Sequence, residues 1–346
     1  MNVTRSLLVI PEYLNRRQHE ELAMYAEAAG LFALYHSELA YDVHAYEMLG
    51  LMQTERLRVG SGIAVRHKRH PILAAETAAT LNNLFPGRYV LGLGSGVSEP
   101  FSGAPDDKLV GRMDEYITII RSVLSGNPVE FHGKYYDAVY RTPSPHRGKS
   151  VLAHVPSEHI PIYVAGGGRL ALRLAGRKAD GVFIQHFGNR STLSSQIRCV
   201  REAAIEAQRD PGEINISLLV QTCVDEDRDR ARASFRNYLA LYFERPYYRK
   251  ILSDGGYPRE AAALDEAWRN GGREAASAVI TDEVLDACGL AGTPEEVRAR
   301  FDDFVVDGVD NAVLYPSPIG EAGPGDDWFG MSCTVLKTFL PGFPTA

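Results

Sequence analysis

Long apolar runs are missing from this chain of 346 residues: no stretch reaches the roughly 18 uninterrupted apolar residues that a membrane-spanning helix needs. The N-terminal run from Ser6 to Ile10 stops at Pro11-Glu12, too short for the apolar region of a secretory signal and without a small-residue cleavage site. A cytoplasmic protein with no membrane association is expected. Positive charge is also scarce. With 37 Lys and Arg against 44 Asp and Glu the net charge is −7, so no broad basic surface can neutralise a nucleic-acid backbone. The four cysteines, Cys199, Cys223, Cys288 and Cys333, contain no CxxC pair, which argues against a zinc knuckle and suits buried thiols in a reducing compartment. The ten histidines form no HExxH and the carboxylates are not clustered, so no metal site is expected.

What the chain does have is core material, 45% hydrophobic against 23% charged residues, in short apolar runs that alternate with segments of helical period. That alternation is the pattern of βα units on a parallel sheet. It predicts strands at Ser6–Ile10, Phe32–Tyr35, Leu57–Gly60, Arg88–Leu93, Ile160–Ala165, Gly181–Ile184, Ile214–Val220 and Asn311–Tyr315. Pro71 suits the first position of a helix running to Leu84, because its missing N–H costs nothing there. Thr293-Pro294-Glu295-Glu296 reads as an N-cap, an N1 proline and a capping-box glutamate. A closing helix is expected near Met331–Phe339.

Two segments break the rhythm: 127–159, rich in Gly, Pro and aromatics, reads as a hairpin or excursion, and 225–288 as an inserted helical region. Eight strands predict an α/β fold, a (β/α)8 TIM barrel spanning 1–346 as one domain, with 225–288 over its mouth. An open doubly wound sheet is the alternative, since patterning does not show closure.

Active sites of such barrels lie at the C-terminal ends of the strands. At the fifth, Ala165 leads into Gly166-Gly167-Gly168, whose backbone N–H groups could approach a phosphate at the start of the next helix, with charge added by Arg169. The plain alternative is a flexible βα turn. His36 and Glu38 end the second strand and are candidate general acid or base, an imidazole and a carboxyl that burial can tune; His36 could equally be structural. Arg66-His67-Lys68-Arg69 could hold an anionic tail or simply be solvated. Glu12 and Tyr13 after strand one and His186 after strand six are placed at the substrate pocket. Phe235, Tyr238, Tyr242 and Phe243 fall at helical spacing, as a helix packed on the barrel or as an aromatic roof with Tyr242 facing substrate.

Several stretches together resemble the luciferase-like monooxygenase superfamily, the bacterial-luciferase-like flavin- and deazaflavin-dependent oxidoreductases. They are Thr54 to Ile63, His70-Pro71, Thr77 to Leu81, Gly87 to Gly96, Pro161 to Gly168, Ala175 to Gly181, and Gly292 to Val297 with Gly308-Val309-Asp310. The resemblance covers most of the chain but not 225–288. It implies a bulge at Ser61-Gly62-Ile63, with a cis Gly62–Ile63 bond and Ile63 behind the central ring of the cofactor; a plain strand end is the other reading. It also implies that Gly94-Ser95-Gly96 lets the ring lie close to the backbone, with Ser98 and Glu99 at the ring edge or the substrate.

The cofactor implied is coenzyme F420, a deazaflavin, in hydride transfer to or from a small-molecule substrate. FMN is the alternative, in a monooxygenase using O2 and a separate flavin reductase; a non-catalytic flavin-binding barrel is the third reading. Deazaflavin-dependent relatives carry an acidic residue followed by histidine where this chain has Glu38-Leu39, which leaves the proton donor open. A homodimer through the early helices is implied as well.

Overall fold

A computed structural model of the chain describes residues 3–96, 108–141, 150–320, 323 and 325–340. In chain order the first half comprises β1 (Thr4–Val9), α1 (Arg16–Ala28), β2 (Ala33–His36), α2 (Val43–Gln53), β3 (Arg58–Ser61), β4 (Ala64–Val65), α3 (Pro71–Leu84), β5 (Tyr89–Gly94) and α4 (Leu109–Leu124). A hairpin, β6 (Val129–His132) and β7 (Asp137–Tyr140), lies within the first predicted excursion. Then come β8 (Ile162–Ala165), α5 (Arg169–Lys178), β9 (Gly181–Gln185), α6 (Arg190–Glu206) and β10 (Asn215–Val224). The predicted helical insertion holds α7 (Arg228–Phe243), α8 (Pro246–Asp254), α9 (Pro258–Val279) and α10 (Asp282–Cys288). The chain ends with β11 (Gly289–Gly292), α11 (Pro294–Phe304), β12 (Asn311–Pro316) and α12 (Trp328–Phe339).

Eight strands close a parallel ring in the order β1, β2, β3, β5, β8, β9, β10, β12, sealed where β9 pairs with β10 and β12 with β1. The fold is therefore a (β/α)8 barrel and not an open sheet. Local chemistry sets its helix starts: Pro71 at N1 with the His70 ring accepting from the Ile72 N–H, and a complete capping box between Thr293 and Glu296.

Register fixes which side chains face the interior. The rings of Tyr35 on β2 and Phe183 on β9 meet edge-on at 4.9 Å, although their strands lie on opposite sides of the ring, so both point inward. Residues aligned with them share that face: Leu8, Gly60, Ala165 and Ser217, and through the last of these Asn311. Near the N-terminal end, Ser6 donates to Asn311 at 3.0 Å and Asn311 to Ser217 at 3.1 Å, pairing the polar groups the interior encloses.

Two strands were not anticipated, the two-residue β4 that pairs with β5 and the later β11. β10 outlasts β9 beyond Leu219, and β11 takes the vacated edge, pairing with Gln221 to Val224. A second apolar core lies there, in which Phe187 and Cys223 pack with Phe235, Leu239 and Phe243 of α7.

Candidate active site

The C-terminal end of the barrel is built asymmetrically. Glycines occupy the inward positions Gly60 on β3 and Gly92 and Gly94 on β5. A Cβ at Gly60 would lie 2.1 Å from the Val90 carbonyl oxygen, and one at Gly92 only 1.9 Å from that of Ser61, so main chain packs directly on main chain. Just beyond β3 the Gly62–Ile63 peptide bond is cis. The Gly62 N–H donates to the His36 carbonyl at 2.8 Å, and the Ile63 carbonyl accepts from the Glu38 N–H at 3.2 Å. Ile63 lies against Gly94, where an added Cβ would come within 2.7 Å of its side chain. Gly96 adopts φ of 66°, Ser95 stands between these two glycines, and Ser98 and Glu99 lie outside the described residues. The outcome is a wall of closely packed backbone carrying Ile63, with the Phe183 ring against Gly92 and Val65 against Gly96.

Three polar candidates are placed behind this wall. Glu38 is buried, and its carboxylate takes a two-pronged ion pair from Arg69, 2.6 and 2.9 Å, together with the Val65 N–H. Both oxygens are thus held in structural contacts, and the carboxylate braces the bulge around Ile63. His36 aligns with outward-facing Ser61, one residue off the inward face, and sits in the layer between barrel and helices. There it stacks on His19 of α1 at 4.9 Å, and His19 stacks on Tyr46 of α2 at 5.2 Å. Neither imidazole has a hydrogen-bond partner, and burial holds His36 well below the usual histidine range and His19 at about 4. Both rings are therefore neutral, and His36 does not reach the barrel mouth. The Ser61 hydroxyl likewise points away from the mouth, accepting from the Gly92 N–H at 3.1 Å.

The basic stretch is neither a free anion site nor a solvated loop. Arg66 donates to the Tyr136 hydroxyl at 2.6 Å, Lys68 to the Leu39 carbonyl, and Arg69 serves Glu38 and Asp42.

Gly168 caps α5 with no side-chain hydrogen bond, and nothing lies within 4 Å of where its Cβ would be. The Gly166 N–H donates to the Phe183 carbonyl at 3.0 Å and the Gly167 N–H to the Tyr247 hydroxyl, while the start of α5 itself carries no side-chain cap and has Arg169 exposed beside it, an arrangement that favours an anion. His186 is a support of this loop rather than a pocket wall. Its ring bonds Gln196 at 2.8 Å, and the Gln196 amide donates to the Gly167 carbonyl at 2.9 Å. Burial lowers the His186 pKa.

Opposite the glycines the mouth is aromatic and polar. The Tyr238 hydroxyl of α7 donates to Tyr315 at 3.3 Å, and Tyr242 packs edge-on against Phe187 and Tyr248. Burial raises the pKa of Tyr238 and Tyr242 far above the phenol range. Tyr13 packs on Trp328 at 5.1 Å, while Glu12 accepts from the Ala40 and Tyr41 N–H groups and so ties down the loop after β2. Sequence reasoning did not single out Gln185, Gln221, Tyr315 or Trp328. The predicted seventh strand ended at Val220; continuing its alternation by one residue would have put Gln221 on the inward face. Among the described residues no group of three potential ligands could hold a metal ion.

Comparison with known proteins agrees with the barrel fold. The family model for luciferase-like monooxygenase matches residues 8–311. The 5,10-methylenetetrahydromethanopterin reductase of Archaeoglobus fulgidus is 26% identical over 320 residues, 89% of this chain and 93% of the relative. Among solved structures, the coenzyme F420 dependent tetrahydromethanopterin reductase from Methanopyrus kandleri superposes with a TM-score of 0.76 at 22% identity, covering 99% of this chain and 100% of that one. The oxygenating constituent of 3,6-diketocamphane monooxygenase from Pseudomonas putida, in complex with FMN, gives 0.68 at 18% identity, covering 99% and 98%. With its family signature running through nearly the whole barrel, the chain belongs to the luciferase-like monooxygenase family.

Proposed function

We propose that the protein is a coenzyme F420-dependent oxidoreductase. When bound, the deazaflavin supplies a hydride donor or acceptor, exchanging two electrons and one hydrogen with a substrate carbon while a proton is gained or lost at the neighbouring atom. The observation that carries the reading is the Gly62–Ile63 bulge seated on a glycine strand: because residue 94 has no Cβ, the Ile63 side chain packs directly on β5, where it would back a flat ring. Gly62 and Ile63 would back the ring, Gly96 would extend that surface, and the uncapped start of α5 after Gly166-Gly167-Gly168, with Arg169, would hold the phosphate.

The chain's own residues orient and desolvate. Glu38 and Arg69 hold the bulge; His186 and Gln196 hold the glycine loop; Tyr238, Tyr242 and Tyr315 keep water from the reacting carbon. The insertion 225–288 serves as the roof of a single barrel domain, since the inward residue Cys223 packs into the α7 core and Tyr238 reaches inward-facing Tyr315. Ser98 and Glu99 are assigned to the ring edge or substrate by sequence, and Glu12 and Tyr13 to the pocket rim. Exposed Met24, Met52 and Leu73 on α1, α2 and α3 suit a homodimer through the early helices. No described helix is long and apolar enough to cross a membrane, and we assign the enzyme to the cytoplasm.

Reconstitution tests the cofactor. Titrating the protein with F420 and with FMN separately should show tight F420 binding; tight FMN binding with none to F420 would replace the proposal with an FMN-dependent monooxygenase served by a separate reductase.

A further inference from the structure

The ring order sets strands face to face across the mouth. Counting around the eight strands, β3 stands opposite β10, and β5 opposite β12. Glycines line the first two strands. On the facing pair the inward positions at the same end are Gln221 and Tyr315, side by side in register. Gln221 is completely buried, yet neither its Oε1 nor its Nε2 has a hydrogen-bond partner. Buried polar groups are nearly always paired, so a carboxamide left open at both ends of its dipole calls for a partner from outside the chain. Tyr315 is in a related state: its hydroxyl accepts from Tyr238, which leaves its own O–H to be given. One strand further, Gln185 shares the inward face through its register with Leu219, and its Nε2 is unpartnered too.

The inward residues on this side, Gln185, Leu219, Gln221 and Tyr315, include no charge. Amide and phenol donors match a carbonyl or hydroxyl oxygen, and the Gln221 Oε1 can accept from a hydroxyl or amide N–H. A carboxylate or phosphate would find no cation among these four and would be desolvated uncompensated. We infer that Gln221, with Tyr315 and Gln185 beside it, receives the polar group of the substrate, and that this group is uncharged. The substrate class is then a neutral carbonyl compound or the corresponding alcohol, lying between the cofactor ring on the glycine wall and Gln221 across the mouth. This placement rests on the deazaflavin reading of the glycine wall; the unpaired carboxamide does not.

The test uses Gln221→Met, which keeps length and shape while removing the dipole, and Gln221→Glu, which puts a carboxyl in its place. Melting temperature is measured on the cofactor-free protein, cofactor affinity by fluorescence titration, and ligand binding by thermal shift with 2-cyclohexenone and with cyclohexanecarboxylate, in cofactor-free and loaded protein. The expected result is that Gln221→Met melts at or above the parent temperature, binds cofactor within twofold of the parent, and loses about tenfold in enone affinity, the scale of one lost hydrogen-bonding partner. Gln221→Glu should lose enone binding as well, and the parent should prefer the enone to the carboxylate. A lower melting temperature for Gln221→Met with enone binding intact would make Gln221 a structural residue and overturn the inference. So would weakened cofactor binding with unchanged enone binding, or a parent that binds the carboxylate better. Failure of F420 to bind the parent would instead remove the function proposed above, while melting and probe binding of the cofactor-free protein would still decide the role of Gln221.

Discussion

Arg69 closes a two-pronged ion pair on Glu38, and because the same carboxylate accepts from the Val65 N–H, one buried side chain ties the loop after β2 to the bulge strand β4 and to the turn before α3. The linkage stands directly behind Ile63. Its loss should therefore be felt both in stability and in how firmly the ring is backed.

Glu38→Gln leaves the Arg69 guanidinium without its counter-charge inside the protein. Breaking a buried pair from one side costs about 3–5 kcal/mol. Urea denaturation should show a loss of that order, together with weaker cofactor binding. If Glu38 instead gives the proton of the reaction, turnover will collapse while stability and cofactor affinity hold.

Gly94→Ala adds a methyl group 2.7 Å from the Ile63 side chain, on the surface where the ring is placed. Ile63 must move toward the mouth. Cofactor affinity measured by fluorescence should fall about tenfold, or roughly 1.4 kcal/mol, with a smaller change in melting temperature.

Gln196→Ala removes the amide that His186 orients and that bonds the Gly167 carbonyl. The loop it steadies is the one assigned to phosphate. Affinity for a phosphate-bearing cofactor should drop several-fold, while a phosphate-free deazaflavin analogue should bind as before. Equal losses for both would place the effect elsewhere.

The stacked pair His19 and His36 predicts a dependence on pH. Burial holds His19 at about 4 in the folded protein, below its ordinary value of 6.5, and holds His36 well below that ordinary value too. The unfolded chain therefore takes up protons that the folded chain refuses once pH falls below 6.5, and stability declines from there toward pH 4. For His19 alone the loss is about 3 kcal/mol across that window. Chemical denaturation at pH 7.5, 6 and 5 should show the slope, and His19→Phe, which keeps the stacked ring, should reduce it while leaving the share carried by His36.

Much of the scaffold was legible because its signals are local. Pro71 opens a helix and Leu84 ends it, as the spacing predicts, and the capping box at Thr293 forms as written. The first strand starts two residues before the predicted Ser6, because Thr4 gains a pairing with Asn311 from the far end of the chain. β11 was missed for a similar reason: Gly289-Leu290-Ala291-Gly292 has little strand character of its own and is ordered by the edge of β10. At the site, glycines forecast where backbone comes close, since that requirement excludes every other residue. Side-chain direction was harder. Whether His36 or Tyr35 points inward turns on a one-residue register that only the closed ring sets.

The handover along β10 has a further consequence. Its lower half hydrogen-bonds to β9 and closes the ring, while its upper half, still paired with β12 through Thr222, hydrogen-bonds on its other edge to β11 and so to the segment that follows the inserted helices. Roof and barrel are thus spliced through a shared main-chain ladder. Residues of α7 through α10 can be exchanged for others, changing what the mouth admits, without disturbing a single hydrogen bond that closes the ring. What the roof contributes to the pocket can thus vary apart from the ring, whereas the inward residues Gln185, Gln221 and Tyr315 are carried by the ring strands themselves.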